Sequence, residues 1–322
     1  MYKVNRNWNF DLYRCIAVLF LVLLHLLNIS SYQDNFILLY LFMLARPVIT
    51  MFVLISGYFL FQQKEFTKSN IIKRILKIVI PLLYYYTIYY IWMHLTGKKT
   101  YPYLDVLKYP TGSEHLWYFY SILSVSIVSS FISLPILDSK KKALLYSGLT
   151  ISLLLLLISI KLPPFNIDHT FYTNDFLLLA FVGYGLGNKY ISLNSKRSIF
   201  ITFCLWQLSV FATIFSKNQN PFNIFALSSI ICLFLLIKAI PEQKVPILVK
   251  KNVSFIAKYS LSIYGWHVLF NDNHLVTIIK QYVHSSYFSL PISYFSILGL
   301  SLACGIITSK IFSILFKREI II

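Results

Sequence analysis

Acidic side chains are what this sequence has least of: 11 Asp and Glu stand against 29 Lys and Arg in 322 residues. Charge of either sign is scarce too, at 12%, while 57% of the residues are hydrophobic and the mean hydropathy is +0.69. A soluble domain of this length has too little interior to hide that much apolar surface. A water-soluble fold is thereby excluded. The expected fold class is all-α, a polytopic transmembrane helix bundle forming one domain over 1–322, for which domain counting by length does not apply. Cysteine is equally rare. Cys15, Cys204, Cys232 and Cys304 all fall inside apolar runs without metal-ligand spacing, so they read as buried small hydrophobes and not as a disulfide framework. The sequence has no glycine-rich phosphate loop, no paired metal motif and no serine-centred nucleophile elbow. Ser56-Gly57 is too short to be one and reads as a place for close helix packing. No soluble domain, low-complexity linker or internal repeat is evident.

What is present begins with Phe10 to Ser30, FDLYRCIAVLFLVLLHLLNIS, an apolar run matching the roughly 20 residues a bilayer core requires. It nevertheless carries Asp11, Arg14 and His25. At about 100° per residue, the step from Arg14 to His25 leaves them ~20° apart in azimuth and ~16 Å apart along the axis. Asp11 sits one turn before Arg14 on nearly the same face, so the three form one polar stripe. In a membrane helix such a stripe must face protein or a water-filled cavity, which makes it a site by default. The blander alternative pairs Asp11 with a snorkelling Arg14 at the inner interface and leaves His25 near the outer one. With Lys3 and Arg6 ahead of it the run resembles a secretory signal, but no small-residue cleavage pattern follows His25, and an uncleaved helix is expected.

Ten spans are expected, at about 10–29, 36–61, 75–95, 115–133, 143–160, 173–190, 197–215, 222–240, 257–275 and 288–315. The fifth is purely apolar, and polar residues interrupt the ninth from Asn271 onward. With the N-terminus inside, the inner loops collect Lys68, Lys73, Arg74, Lys140, Lys141, Lys142, Lys196, Arg197, Lys250 and Lys251, and the outer loops far fewer. This asymmetry is the positive-inside pattern and puts both termini in the cytoplasm. It also reassigns the net charge of +18 from nucleic acid, which is not an expected partner, to topology and anionic lipid headgroups.

Three further places carry polar groups where the membrane makes them expensive. Arg46 lies near the middle of the second span, with Pro47 beside it to free a backbone carbonyl and kink the helix. Glu114 and His115 open the fourth span, where an acidic residue also favours the helix dipole and Trp117 suits an interface. Tyr84, Tyr85, Tyr86, Tyr89 and Tyr90 crowd the third span; packing of amphipathic rings is the plainer reading and carbohydrate stacking the sharper one. The entry to that span, KEFTKSNIIKRILKIVIP, brings Lys73, Arg74 and Lys77 to the inner face, which on sequence alone is ordinary positive-inside charge.

In this order the first-helix stripe, MFVLISGYFLF at 51–61, HLWYFY at 115–120 and SLSIYGWH at 260–267 resemble the acyltransferase-3 family of integral membrane O-acyltransferases. The resemblance runs from near the N-terminus to residue 267. It implies a stand-alone enzyme of the cell membrane, in a bacterium the plasma membrane, with acyl-CoA, most simply acetyl-CoA, as the donor substrate. The acceptor it implies is a sugar hydroxyl of a surface polysaccharide or its lipid-linked precursor. No metal and no permanently bound cofactor is implied. For the site it implies His25 as the base, with Arg14, Asp11, Glu114 and His115 in the catalytic set. Arg46, Lys73, Arg74 and Lys77 would meet the donor. The family often has arginines one residue apart at the third-span entry, and Lys73-Arg74 followed by Lys77 departs from that. Both His25 and Glu114–His115 fall towards the outer side, so one shared cavity is expected. A glycan or lipid transporter, its pathway lined by the same Arg and His residues, is the rival; a scaffold is a weaker one, because intramembrane Asp, Arg and His are costly ornaments. Consumption of acetyl-CoA separates enzyme from transporter.

Overall fold

The stripe-bearing run folds as one uninterrupted helix, α1 (Trp8–Ile29). The computed structural model describes residues 7–29, 35–61, 68–98, 102–107, 113–131, 173–187, 192–216, 223–271, 274–283 and 285–316. Among these residues every regular element is helical. After α1 come α2 (Phe36–Ala45), α3 (Val48–Phe61), α4 (Lys68–Leu95), α5 (Trp117–Phe131) and α6 (Thr173–Gly187). The C-terminal part supplies α7 (Lys196–Phe215), α8 (Ile224–Lys238), α9 (Ile247–Lys258), α10 (Ser260–Asn271), α11 (His274–Tyr282) and α12 (Ser286–Phe316).

The expected second span divides at Arg46-Pro47 into α2 and α3. Proline has no N–H to continue the ladder, and the Thr50 hydroxyl donates to the Pro47 carbonyl just past the break. Among the described residues five stretches are long and apolar enough to cross a membrane: Trp8–Leu27, Phe36–Phe61, Ile71–Leu95, Lys196–Phe215 and Phe288–Ser313. Three shorter apolar helices, Trp117–Ile127, Phe176–Gly187 and Ile224–Lys238, fall where spans are expected. The expected fifth span, 143–160, lies outside the described residues. Within the expected ninth span, 257–275, Tyr259 separates α9 from α10, which is described as far as Asn271. Before it, the lysine-rich stretch read as an inner loop winds into α9, an amphipathic helix with Val253 and Ala257 buried and Lys251 on the exposed side.

The chain divides into two compact units, one of residues 1–52 and 192–322, the other of residues 53–191. In the first, α1 is the hub, packed against α2, α8, α9, α10 and α12. Trp8 and Cys15 of α1 bury themselves with Val253 of α9. Asn9 caps the end of α8, its side-chain amide donating to the carbonyls of Ile237, Lys238 and Ile240 at 3.0–3.1 Å. Ile237 and Lys238 carry two of the last four carbonyls of α8, which have no i+4 amide within the helix. All four cysteines are free thiols; Cys15 is buried as expected, but Cys204 is exposed. It shares the outward side of α7 with Phe200, Phe203 and Leu208, a surface suited to lipid, so an apolar setting here does not mean an interior one.

In the second unit α3 and α6 approach backbone to backbone. Gly57 lies against the Ala180 backbone, Gly183 against the Leu54 carbonyl and Gly187 against the Tyr58 ring, and a Cβ on any of them would collide. Ser56-Gly57 is therefore a packing motif, met by the small-xxx-small spacing of Gly183 and Gly187. Phe61 stacks on Phe181, centroids 4.6 Å apart and planes within 11°, at one end of the same seam. Tyr85, Tyr86 and Tyr89 are buried, so packing accounts for those three rings of the third span. Tyr86 and Tyr90 both meet Tyr103 edge-on at 5.3–5.4 Å.

Candidate functional site

In the first unit α1 is fastened to its neighbours along its length. At the N-terminal end Asp11, only 2% exposed, accepts a hydrogen bond from the Ser254 hydroxyl of α9 at 2.9 Å. Midway, the Tyr294 hydroxyl of α12 donates to the Leu19 carbonyl at 3.2 Å. Towards the other end the His25 ring meets His267 of α10 edge to face, with centroids 4.7 Å apart and planes at 66°. Arg14 is partly exposed on the same face. At Asp11 and at His25 the stripe thus faces protein, which is what a polar face in a membrane helix requires.

His267 is wholly buried, and its Nδ1 lies 2.7 Å from the Tyr264 carbonyl one turn back along α10. A carbonyl can only accept, so Nδ1 carries the proton and donates it to this bond. In the neutral ring Nε2 is then the basic nitrogen. Arg46 stands at the α2–α3 break, its amide donating to the Phe42 carbonyl at 2.8 Å and its guanidinium carbon 5.6 Å from the Phe42 ring centroid. The break thus sets a cation within the apolar second span. A cavity at the N-terminal end of α1, lined by Asn9, Tyr13, Phe234 and Lys238 among others, lies near Asp11 along α1.

The second unit holds the remaining expected residues. His115 sits in the 3₁₀ turn Glu114–Leu116 that leads into α5, its ring edge-on to Tyr89 of α4 with centroids 4.5 Å apart. The Glu114 side chain is outside what the structure describes. Arg74 donates from Nη2 to the Leu60 carbonyl at 3.3 Å, at the C-terminus of α3, where a cation also suits the helix dipole. Lys73 and Lys77 are exposed. His25 belongs to one unit and Glu114–His115 to the other, so the structure describes each within its own surroundings.

His267 closes the SLSIYGWH stretch that carries the family resemblance, yet it is not among the expected site residues. As one of seven histidines it had no neighbour in sequence to mark it.

An all-helical, multi-pass membrane protein holding two imidazoles and a guanidinium among apolar helices is the class these features define. The acyltransferase domain that characterises the acyltransferase-3 family matches residues 7–310, nearly the whole chain, and the protein belongs to that family. It is a membrane acyltransferase. No curated protein and no solved structure matches it.

Proposed function

We propose that this acyltransferase moves an acetyl group from cytoplasmic acetyl-CoA to a sugar hydroxyl of a surface polysaccharide or its lipid-linked precursor, in a bacterial plasma membrane. The observation that carries the reading is His25, an imidazole on the polar stripe of α1 packed against the buried His267 ring. His25 removes the acceptor hydroxyl proton as the oxygen attacks the thioester carbonyl. The C–O bond forms, the C–S bond breaks, and the thiolate of CoA leaves and takes up a proton. Arg14 and Arg46 are cations suited to the anionic donor and to the oxyanion of the tetrahedral intermediate. Asp11, bound to Ser254, holds the inner end of the helix that carries both Arg14 and His25. Glu114 and His115 remain a second acid–base candidate.

The test uses membranes from cells that carry the acceptor, with [14C]acetyl-CoA and label counted in the polysaccharide fraction. Expressing membranes should incorporate label and release CoA in step. A transporter would consume no acetyl-CoA at all.

Two parts of the reading have their own checks. The exposed Lys73 and Lys77, with Arg74, are proposed to meet the donor diphosphate. Exposed charge contacts are worth ~0.5–1 kcal/mol each, so each Lys→Gln change should raise KM for acetyl-CoA about 2–5-fold with kcat unaltered. An unchanged KM in correctly inserted protein would leave these charges as topological signals. Arg74→Gln should also lower yield, because Arg74 caps α3. Both termini are proposed to be cytoplasmic from the Lys and Arg asymmetry, so reporters fused after residues 66, 140 and 322 should all read cytoplasm. An exterior signal at 322 would break that topology.

A further inference from the structure

We infer that the short segment Tyr103–Leu107, with Tyr90 of α4 beside it, is the acceptor subsite of the transferase: a shelf of tyrosine and one carboxylate, Asp105, that takes a pyranose ring of the glycan. The inference rests on the reading of the acceptor as a sugar.

The segment is a 3₁₀ turn of the second unit, fastened at both ends. Thr87 of α4 gives its own proton to the Leu83 carbonyl, so the Tyr103 hydroxyl donates to the Thr87 oxygen, at 2.7 Å. At the other end the Tyr120 hydroxyl of α5 donates to the carbonyl of Val106, which is buried. The tyrosines are held as a group. Ring centroids of Tyr103 and the fully buried Tyr86 lie 5.4 Å apart, and those of Tyr103 and the half-buried Tyr90 5.3 Å. Tyr103 nevertheless stays 37% exposed, and Asp105 is half-buried two residues further on.

Depth decides what the open side of this segment meets. Thr87 stands eight residues before Leu95, the last of the apolar stretch Ile71–Leu95, which is ~12 Å along the helix axis. So far into such a stretch, irregular backbone and a carboxylate are tolerated only within protein or against water. Pro102, Tyr103 and Leu104 are exposed, so protein does not enclose the segment and its open side faces water. A tyrosine of an interface belt turns its hydroxyl to the headgroups, whereas that of Tyr103 is taken by Thr87. An aromatic residue and a carboxylate on a rigid support suit a pyranose, whose C–H groups pack on the ring and whose hydroxyls donate to the carboxylate. They do not suit the donor, because its phosphates and Asp105 repel each other. His115, the second acid–base candidate, meets Tyr89 on the same turns of α4 that carry Tyr86 and Tyr90.

The experiment uses detergent-extracted full-length protein, [14C]acetyl-CoA and graded amounts of polysaccharide from the same cells, its esters removed by mild alkali. Rates are taken per monodisperse protein. Tyr103→Ala and Asp105→Asn should each raise the KM for polysaccharide about 3- to 10-fold, the worth of a lost ring contact or charge-assisted hydrogen bond, with the KM for acetyl-CoA within about twofold. Tyr103→Phe keeps the ring and should recover most of the loss, which a purely structural role for the Thr87 bond would not allow. Leu104, 71% exposed, is the control. A segment that only touched lipid would make Leu104→Ala as damaging as Tyr103→Ala, and that result would overturn the inference. Should Tyr103→Ala not stay monodisperse, Asp105→Asn decides alone. If wild type labels polysaccharide while Asp105→Asn has an unaltered KM for it, this inference fails by itself. If wild type consumes acetyl-CoA without labelling polysaccharide, the sugar acceptor fails and takes this inference with it.

Discussion

His25→Ala should lower acyl transfer by about 10²–10⁴-fold, the usual worth of a positioned general base, and so take it below detection in membranes. The loss is expected to fall on kcat. His25 is not a packing keystone: it is partly exposed, and around it Leu21, Val22, Leu24, Leu26 and Leu27 are the buried residues of α1. Its partner does not depend on it for position either, since the Tyr264 carbonyl holds the His267 ring whether or not His25 is there. The variant should therefore insert, extract and migrate as wild type, and the assay is label in the polysaccharide fraction at matched protein level. Wild-type activity would remove His25 from the mechanism and leave His115 as the next base to test. Loss of both activity and monodisperse protein would instead make the residue structural, which its exposure argues against.

The parts of this structure that were legible in the sequence are those governed by local rules. The stripe of Asp11, Arg14 and His25 follows from helical arithmetic within one run, and at Asp11 and His25 α1 carries it against protein as the cost of polar groups in lipid requires. The break in the second span follows from Pro47, which cannot donate. Gly57 announced close packing because nothing but a small residue permits it, although the partner surface at Ala180 and Gly183 could not be named. What stayed hidden depends on contacts between distant segments. Nothing near His267 in sequence says that its ring meets α1, and nothing near Arg74 says that it bonds to the end of α3. Cys204 misled for a related reason: in a bilayer an apolar run describes the solvent as well as the core, so hydropathy does not tell a lipid-facing thiol from a buried one. The turn at Tyr259 within the expected ninth span was hidden as well, because no glycine or proline stands beside it to mark it.

Gly183→Leu should abolish folded protein outright. In a membrane the apolar surfaces of two helices gain nothing by avoiding lipid, so their association rests on close van der Waals contact and on small residues that allow it. At Gly183 the neighbour is the Leu54 carbonyl, and the atoms next to it are also backbone. No rotamer change can make room, and even a Cβ requires α3 and α6 to move apart. Separation would loosen the contacts of Gly57 with Ala180 and of Gly187 with Tyr58 on the same seam, and the stacking of Phe61 on Phe181 with them. Overpacking a well-filled interior typically costs ~1–3 kcal/mol when side chains can adjust. Here they cannot, and several contacts fail together, so the penalty should approach the ~5–15 kcal/mol that holds a whole domain folded. Gly299→Leu is the matched control, because a Cβ there meets nothing within 4 Å. Both variants carry a fluorescent tag and are followed by size-exclusion chromatography after detergent extraction. Gly299→Leu should give the wild-type peak, and Gly183→Leu an aggregated or empty profile. A monodisperse Gly183→Leu at wild-type yield would mean that α3 and α6 do not pack as closely as the structure has them.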